Sequence, residues 1–226
     1  MNDAPALRAD DIWKVFRRDG YDLEVLKGVS LSIAGGEMVG VVGVSGAGKT
    51  TLLQILGTLD RPTSGRVFYG ERDVSALPEE EMAAFRNRSV GFVFQFHNLL
   101  PEFTVLENVM LPCRIARLGP EEARRRAEAL LAEVGLAERM SHRTGEISGG
   151  EQQRAAICRA LVMEPAVLLA DEPTGNLDRR TASGVVDLLM ELNRRRGLSL
   201  LMVTHNDRVA ERLHRVIRID DGRIVQ

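Results

Sequence analysis

The run Gly43-Val44-Ser45-Gly46-Ala47-Gly48-Lys49-Thr50 matches G-x-x-x-x-G-K-[ST] at every position. Glycines at this spacing let a loop close around an anion with its backbone N–H groups turned inward. A helix starting beside Lys49 would add its positive dipole end. Lys49 would then bridge the terminal phosphates of a nucleoside triphosphate and Thr50 would ligate Mg²⁺, with Thr51 in the same site. A glycine-rich turn without a ligand is the alternative reading. The hydrolytic half of such a site needs acids at the end of a buried strand. AVLLAD supplies Asp171 for the Mg²⁺ shell, and the adjacent Glu172 to orient or deprotonate the attacking water. His205 ends a second apolar run, LLMVTH, within reach of a terminal phosphate. Guanine recognition in phosphate-loop proteins uses Asn/Thr-Lys-x-Asp, and none of Lys14, Lys27 or Lys49 has Asp two positions on, so the base is expected to be adenine. Phe16 could stack on it or belong to the core.

A second anion site is written at Ser148-Gly149-Gly150-Glu151. Ser148 and Glu151 have capping-box spacing, and the glycines would expose N–H groups at a positive helix end. Capping alone accounts for the Ser and the Glu but not for the Gly-Gly pair. One chain with two phosphate-binding helix starts is most economically explained if two copies face each other, each completing the nucleotide site of the other.

The elements that must position these residues follow from periodicity. Residues 7–16 and 25–33 alternate as half-exposed strands, whereas 38–43, 166–171 and 198–205 are continuous apolar runs, as in parallel strands covered on both faces. Shorter strands are expected at 66–70 and 90–94, and Asp221-Gly222 marks a hairpin within 216–225. Helical patterns follow the phosphate loop and recur at 121–135, 151–163 and 180–196. The expected fold is α/β: a phosphate-loop NTPase core with a mostly parallel sheet at about 1–95 and 161–226. It carries an antiparallel β flank and a helical subdomain inserted at about 96–160.

Composition closes several alternatives. Of 226 residues, 44% are apolar and 27% charged, which suits a folded domain rather than a disordered chain. Thirty basic against 32 acidic residues leave a net charge of −2, without the basic excess of a nucleic-acid binder, so no nucleic acid is expected. Cys113 and Cys158 have no partner spacing for a metal or a disulfide framework. No secretory signal or membrane span is evident, and a cytosolic chain is expected.

The phosphate loop, Gln95, ISGGEQQR at 147–154, LLADE at 168–172, GNLD at 175–178 and His205 together resemble the ATP-binding-cassette (ABC) ATPases over essentially the whole chain. That resemblance implies ATP and Mg²⁺ as ligands and a homodimer formed on ATP. It also implies a pair of integral membrane subunits as partners and a peripheral place on the cytoplasmic face of an inner membrane. It further implies that Gln95 links Mg²⁺ to the transport partner, that Asp178 lies at the dimer interface, and that Ser148, Gly149 and Gly150 clasp the opposing γ-phosphate. The family signature usually ends in Gln, and here Glu151 stands in its place. The wording FHNLLPEFT, LENV, SGGE and ADEPTGNLD is similar to the cassettes of lipoprotein-releasing transporters; cassettes that serve cell division or other export are the alternative. Long coiled-coil insertions of chromosome ATPases would not fit between Lys49 and Ser148. The segment 95–109 begins at Gln95, is rich in large apolar residues and is interrupted by Pro101. Part of it is therefore expected to form an exposed loop in which Phe96, Leu99, Leu100 and Phe103 dock a membrane partner.

Overall fold

The computed structural model describes residues 4–18 and 20–225. In chain order the strands and helices of the first part are β1 (Leu7–Arg18), β2 (Tyr21–Ile33), β3 (Met38–Val42), α1 (Lys49–Leu56), β4 (Ser64–Tyr69), β5 (Arg72–Asp73) and α2 (Glu79–Ser89). There follow β6 (Val90–Phe94), α3 (Val105–Ile115), α4 (Pro120–Glu133), α5 (Gly149–Leu161), β7 (Val167–Asp171) and α6 (Arg179–Arg196). The chain closes with β8 (Ser199–Val203), α7 (Asp207–Ala210), β9 (Arg215–Asp220) and β10 (Arg223–Ile224). Two compact units divide it: one takes the chain up to Met82 and from Asn193 onward, the other Ala83–Leu192.

The first unit holds two sheets. One is antiparallel, in the order β2-β1-β4-β5, and is the flank expected from the alternating N-terminal strands. In the other, β3 lies between β8 and β9 and is parallel to both. Every residue of β3 and of β8 is buried, which is why these stretches read as apolar runs, with Ser199 at the start of β8 the one polar side chain. Leu52, Leu53, Ile55 and Leu56 give α1 its buried side. The hairpin β9–β10 turns at Asp221-Gly222, both with positive φ (41° and 74°), the backbone that an Asp-Gly pair favours. This turn is also a junction. Gly222 N–H donates to Ala47 O at 3.3 Å, Gly222 O accepts from Lys27 N–H at 2.8 Å, and Lys27 Nζ meets the Asp221 carboxylate at 2.7 Å.

The second unit pairs β6 with β7 in parallel and packs α3, α4 and α5 around Val105, Val109, Leu131, Ala156 and Ile157, all buried. Capping boxes start two of its helices: Thr104 with Glu107 opens α3, and Ser148 with Glu151 opens α5. Among the described residues, no helix is long and apolar enough to cross a membrane.

Candidate functional site

Strand β3 ends at Val42 and delivers the chain into the phosphate loop. Gly43 is a steric necessity, since a Cβ there would lie 2.1 Å from the carbonyl oxygen of Ile219 on β9. Gly48 has φ 99°, and a Cβ on it would come within 2.8 Å of Leu26 and of the Val25 carbonyl on β2. Lys49 Nζ lies across the loop, donating to Gly43 O at 2.8 Å and Val44 O at 2.9 Å. Among the described residues no group accepts the N–H of Gly46, Gly48, Lys49, Thr50 or Thr51, and the first turn of α1 carries no acid. Unmet donors, a helix dipole and an ammonium therefore converge on one loop, and the group they fit is a polyphosphate.

Parallel pairing sets His205 on the same edge of this sheet. Val41 on β3 lies opposite Val203 on β8, and Thr204 N–H donates to Val41 O at 3.1 Å, so the phosphate loop and His205 both follow the carboxyl ends of adjacent strands. The strand stops at Val203, and His205 itself is exposed in the link to α7. Phe16, on β1, is 43% exposed and carries the Lys14 ammonium 4.9 Å from its ring centroid. Lys14 is tied in turn to Asp60 at 2.7 Å. All three lysines of this arginine-rich chain thus hold specific partners: Phe16 and Asp60, the Asp221 turn, and the phosphate loop.

In the second unit the register of β6 and β7 puts Phe94 opposite Asp171, so Gln95 and Glu172 each follow directly on a strand end. Gln95 Nε2 donates to Asn176 Oδ1 at 2.8 Å, and Asn176 Nδ2 returns a bond to Gln95 O at 3.3 Å. Gly175 permits this approach, because a Cβ there would sit 2.9 Å from the Gln95 amide nitrogen. Glu172 has φ 47°, a left-handed conformation that costs a non-glycine residue about 1 kcal/mol or more and concentrates at functional sites. Asn176, within GNLD, was not singled out by its side-chain chemistry; its exchange with Gln95 emerges only from folding.

At the start of α5, Ser148 and Glu151 form the expected capping box, and the Ser148 hydroxyl and backbone N–H hold the Glu151 carboxyl down to about 2, assisted by Arg139. The glycine pair divides. Gly150 is buried, and a Cβ on it would meet Thr181 Cγ2 at 2.4 Å, so packing against α6 already demands glycine there. Gly149 is exposed, and among the described residues nothing accepts the N–H of either glycine. Asp178 caps α6, accepting from Arg180 N–H (3.0 Å) and from Thr181 N–H (3.1 Å) and Oγ1 (2.5 Å); these Thr181 contacts keep its carboxyl below the usual range.

The segment after Gln95 is an exposed loop. Phe96 is 71% and Leu100 42% exposed, with Leu99 and Phe103 half-buried. Two anchors hold it, the buried Asn108 and the half-buried Arg159. Asn108 of α3 accepts Leu100 N–H at 2.8 Å and donates to Leu100 O and Thr104 O, each at 3.0 Å. The Arg159 guanidinium of α5 donates to His97 O at 2.7 Å and to Asn98 O. Neither anchor was foreseeable from spacing, since both join residues distant along the chain or hidden in a helix face.

A profile of the ABC transporter family matches residues 26–175. The lipoprotein-releasing system ATP-binding protein LolD of Syntrophus aciditrophicus is 54% identical over 219 residues, 97% of this chain and 98% of that protein. LolD of Geobacter metallireducens is 53% identical, with 97% of each chain covered. Among solved structures, the dimeric post-hydrolysis ATP-binding cassette MJ0796 bound to ADP and Pi aligns over 97% of both chains, with TM-score 0.88 and 38% identity. The family profile and relatives of nearly the same length agree with the phosphate loop on a parallel sheet, and the chain belongs to the ABC transporter family as one of its ATP-binding cassettes.

Proposed function

We propose that this cassette hydrolyses ATP to drive a lipoprotein-releasing transporter, the system named for relatives at 53–54% identity over almost the whole chain. The observation that carries the ATP reading is the Lys49 ammonium held inside a loop of unmet N–H donors. Gly43 to Thr51 bind the phosphates, Phe16 stacks on adenine, Glu172 orients and deprotonates the attacking water, and His205 contacts the terminal phosphate. Thr50, Gln95 and Asp171 offer hard oxygen donors for Mg²⁺, which supplies charge neutralisation on the phosphates. Ser148, Gly149 and Gly150 clasp the γ-phosphate of ATP bound by a second copy, with Asp178 at the dimer interface; the solved MJ0796 cassette is itself dimeric. Two integral membrane subunits dock at Phe96, Leu99, Leu100 and Phe103, which places the cassette peripherally on the cytoplasmic face of the inner membrane.

The test is Glu172→Gln. Removing the general base should slow hydrolysis by about 10²-fold or more while ATP still binds. The variant should then elute as a dimer in Mg-ATP and as a monomer without it. A monomer at saturating Mg-ATP would refute the trans clasp.

A further inference from the structure

Ser148 has one hydroxyl proton and gives it to its own helix cap. Its Oγ donates to Glu151 Oε2 at 2.7 Å, and its backbone N–H donates to the same oxygen at 2.8 Å. The other carboxylate oxygen, Oε1, accepts from Arg139 Nε at 3.1 Å. Arg139 comes from a short 3-10 turn, Ala137–Arg139, outside α5, so this contact is made by the fold and is not a by-product of helical spacing. A carboxylate beside an anion-binding helix start opposes the anion twice. It repels negative charge, and it competes for the Ser148 proton with a charge-assisted bond about twice as strong as a neutral one.

We infer that Arg139 is a positioning residue of this site: its guanidinium holds and neutralises Glu151, so that the Ser148 hydroxyl is free to turn from the carboxylate to an incoming phosphate. The inference rests on the reading of Ser148 to Gly150 as a clasp for ATP held by a second copy. When the hydroxyl turns away, Oε2 keeps the Ser148 N–H and Oε1 keeps Arg139, so the carboxylate is left neither unpaired nor aimed at the phosphate. Glu151 is ionised throughout the working range, its carboxyl held near 2, so compensation is needed at every pH at which the protein operates. With Gln at this position the cap would survive and Arg139 would have no charge to neutralise.

The ion pair is partly solvated, with side chains 46% and 21% exposed, and such pairs shift an equilibrium by about two- to fivefold. Two clasps per dimer compound this to about 4- to 25-fold. The experiment measures the ATP-dependent dimerisation constant by light scattering in the Glu172→Gln background. R139Q should weaken dimerisation by that factor, and R139K, which keeps the charge, should stay within about twofold of the parent. In an E151Q background, R139Q should have no effect, because the charge needing compensation is gone. An R139Q loss of equal size with and without E151Q, or no loss at all, overturns the inference, as does R139K behaving like R139Q. A Glu172→Gln parent that never dimerises in Mg-ATP instead removes the clasp on which the inference rests. Rescue by E151Q also shows that the R139Q chain is folded.

Discussion

Replacing Asn108 by Ala should loosen the loop that follows Gln95 while leaving the helices around it in place. The side chain is fully buried and makes a reciprocal pair with Leu100, N–H to Oδ1 at 2.8 Å and Nδ2 to O at 3.0 Å, plus a bond to Thr104 O. Each such bond contributes about 1 kcal/mol net, and Ala regains about 0.6 kcal/mol of helix propensity. Leu100 is partly exposed, so water replaces some of what its backbone loses. The expected local cost is about 2 kcal/mol, which corresponds to about 30-fold faster amide exchange at Leu100, since ~1.4 kcal/mol is a factor of ten. Native-state hydrogen exchange followed residue by residue reads this directly, with Val105 and Val109 of the same helix as internal references. Unchanged protection at Leu100 in a folded variant would refute the idea that Asn108 pins the loop. Equal loss of protection at Val109 would show that Asn108 serves the core instead.

Further outcomes are expected at neighbouring positions. Lys49→Ala removes an ammonium that already bridges Gly43 O and Val44 O, so ATP affinity should fall by about 10²-fold or more in titration calorimetry; unchanged affinity would remove the phosphate-loop assignment. Leu100→Asp should preserve melting temperature, because the side chain is 42% exposed, yet abolish co-purification with the membrane subunits and their stimulation of ATP hydrolysis. Leu99→Asp is the stricter case, since Leu99 is half-buried, and collapse of the fold there would favour a core role for that residue. The Glu151 carboxyl is held near 2, below its ordinary 4.5, so its stabilising contribution is fully present above about pH 4.5 and is lost as pH falls through 2. The melting-temperature advantage over Glu151→Gln should accordingly be flat above pH 5, about 1 kcal/mol after solvent screening, and disappear towards pH 2. An advantage that persists at pH 2 would contradict the hydrogen-bonded ionised cap.

What the sequence discloses depends on whether the determining contacts are local. Strands β3, β7 and β8 are legible because both faces are covered and, apart from Asp171 ending β7 and Ser199 opening β8, they carry no polar side chain, and Asp221-Gly222 announces its turn because few other pairs accept that backbone. Helix α2 is invisible to periodicity: EEEMAAFRNRS buries only Met82 and Phe85 among its large side chains. Its signal was electrostatic, with three glutamates in the first turn, arginines in the last and Pro78 just before it. The capping box of α3 is legible in Thr104-x-x-Glu107, although the large apolar residues on either side dominate the local pattern. Gly150 illustrates the opposite limit. Its spacing suggests a ligand, whereas Thr181 on α6 supplies a steric reason that only tertiary packing reveals. Arg139 and Asn176 belong to the same class, since each finds its partner at a distance along the chain that no local spacing encodes.

The turn at Asp221-Gly222 has a consequence for how the protein is made. It bonds at once to Ala47 in the phosphate loop and to Lys27 on the strand behind it, and Ile219 beside it presses on Gly43. A loop that begins at Gly43 is therefore braced by Ile219 and Gly222, which lie far downstream in the sequence. Synthesis runs from the N-terminus, so a growing chain carries the complete phosphate-loop sequence long before it owns the brace that shapes it. Nucleotide binding becomes a property of a chain translated past Gly222, and a ribosome stalled short of Asp221 would display a chain that has the motif without the grip.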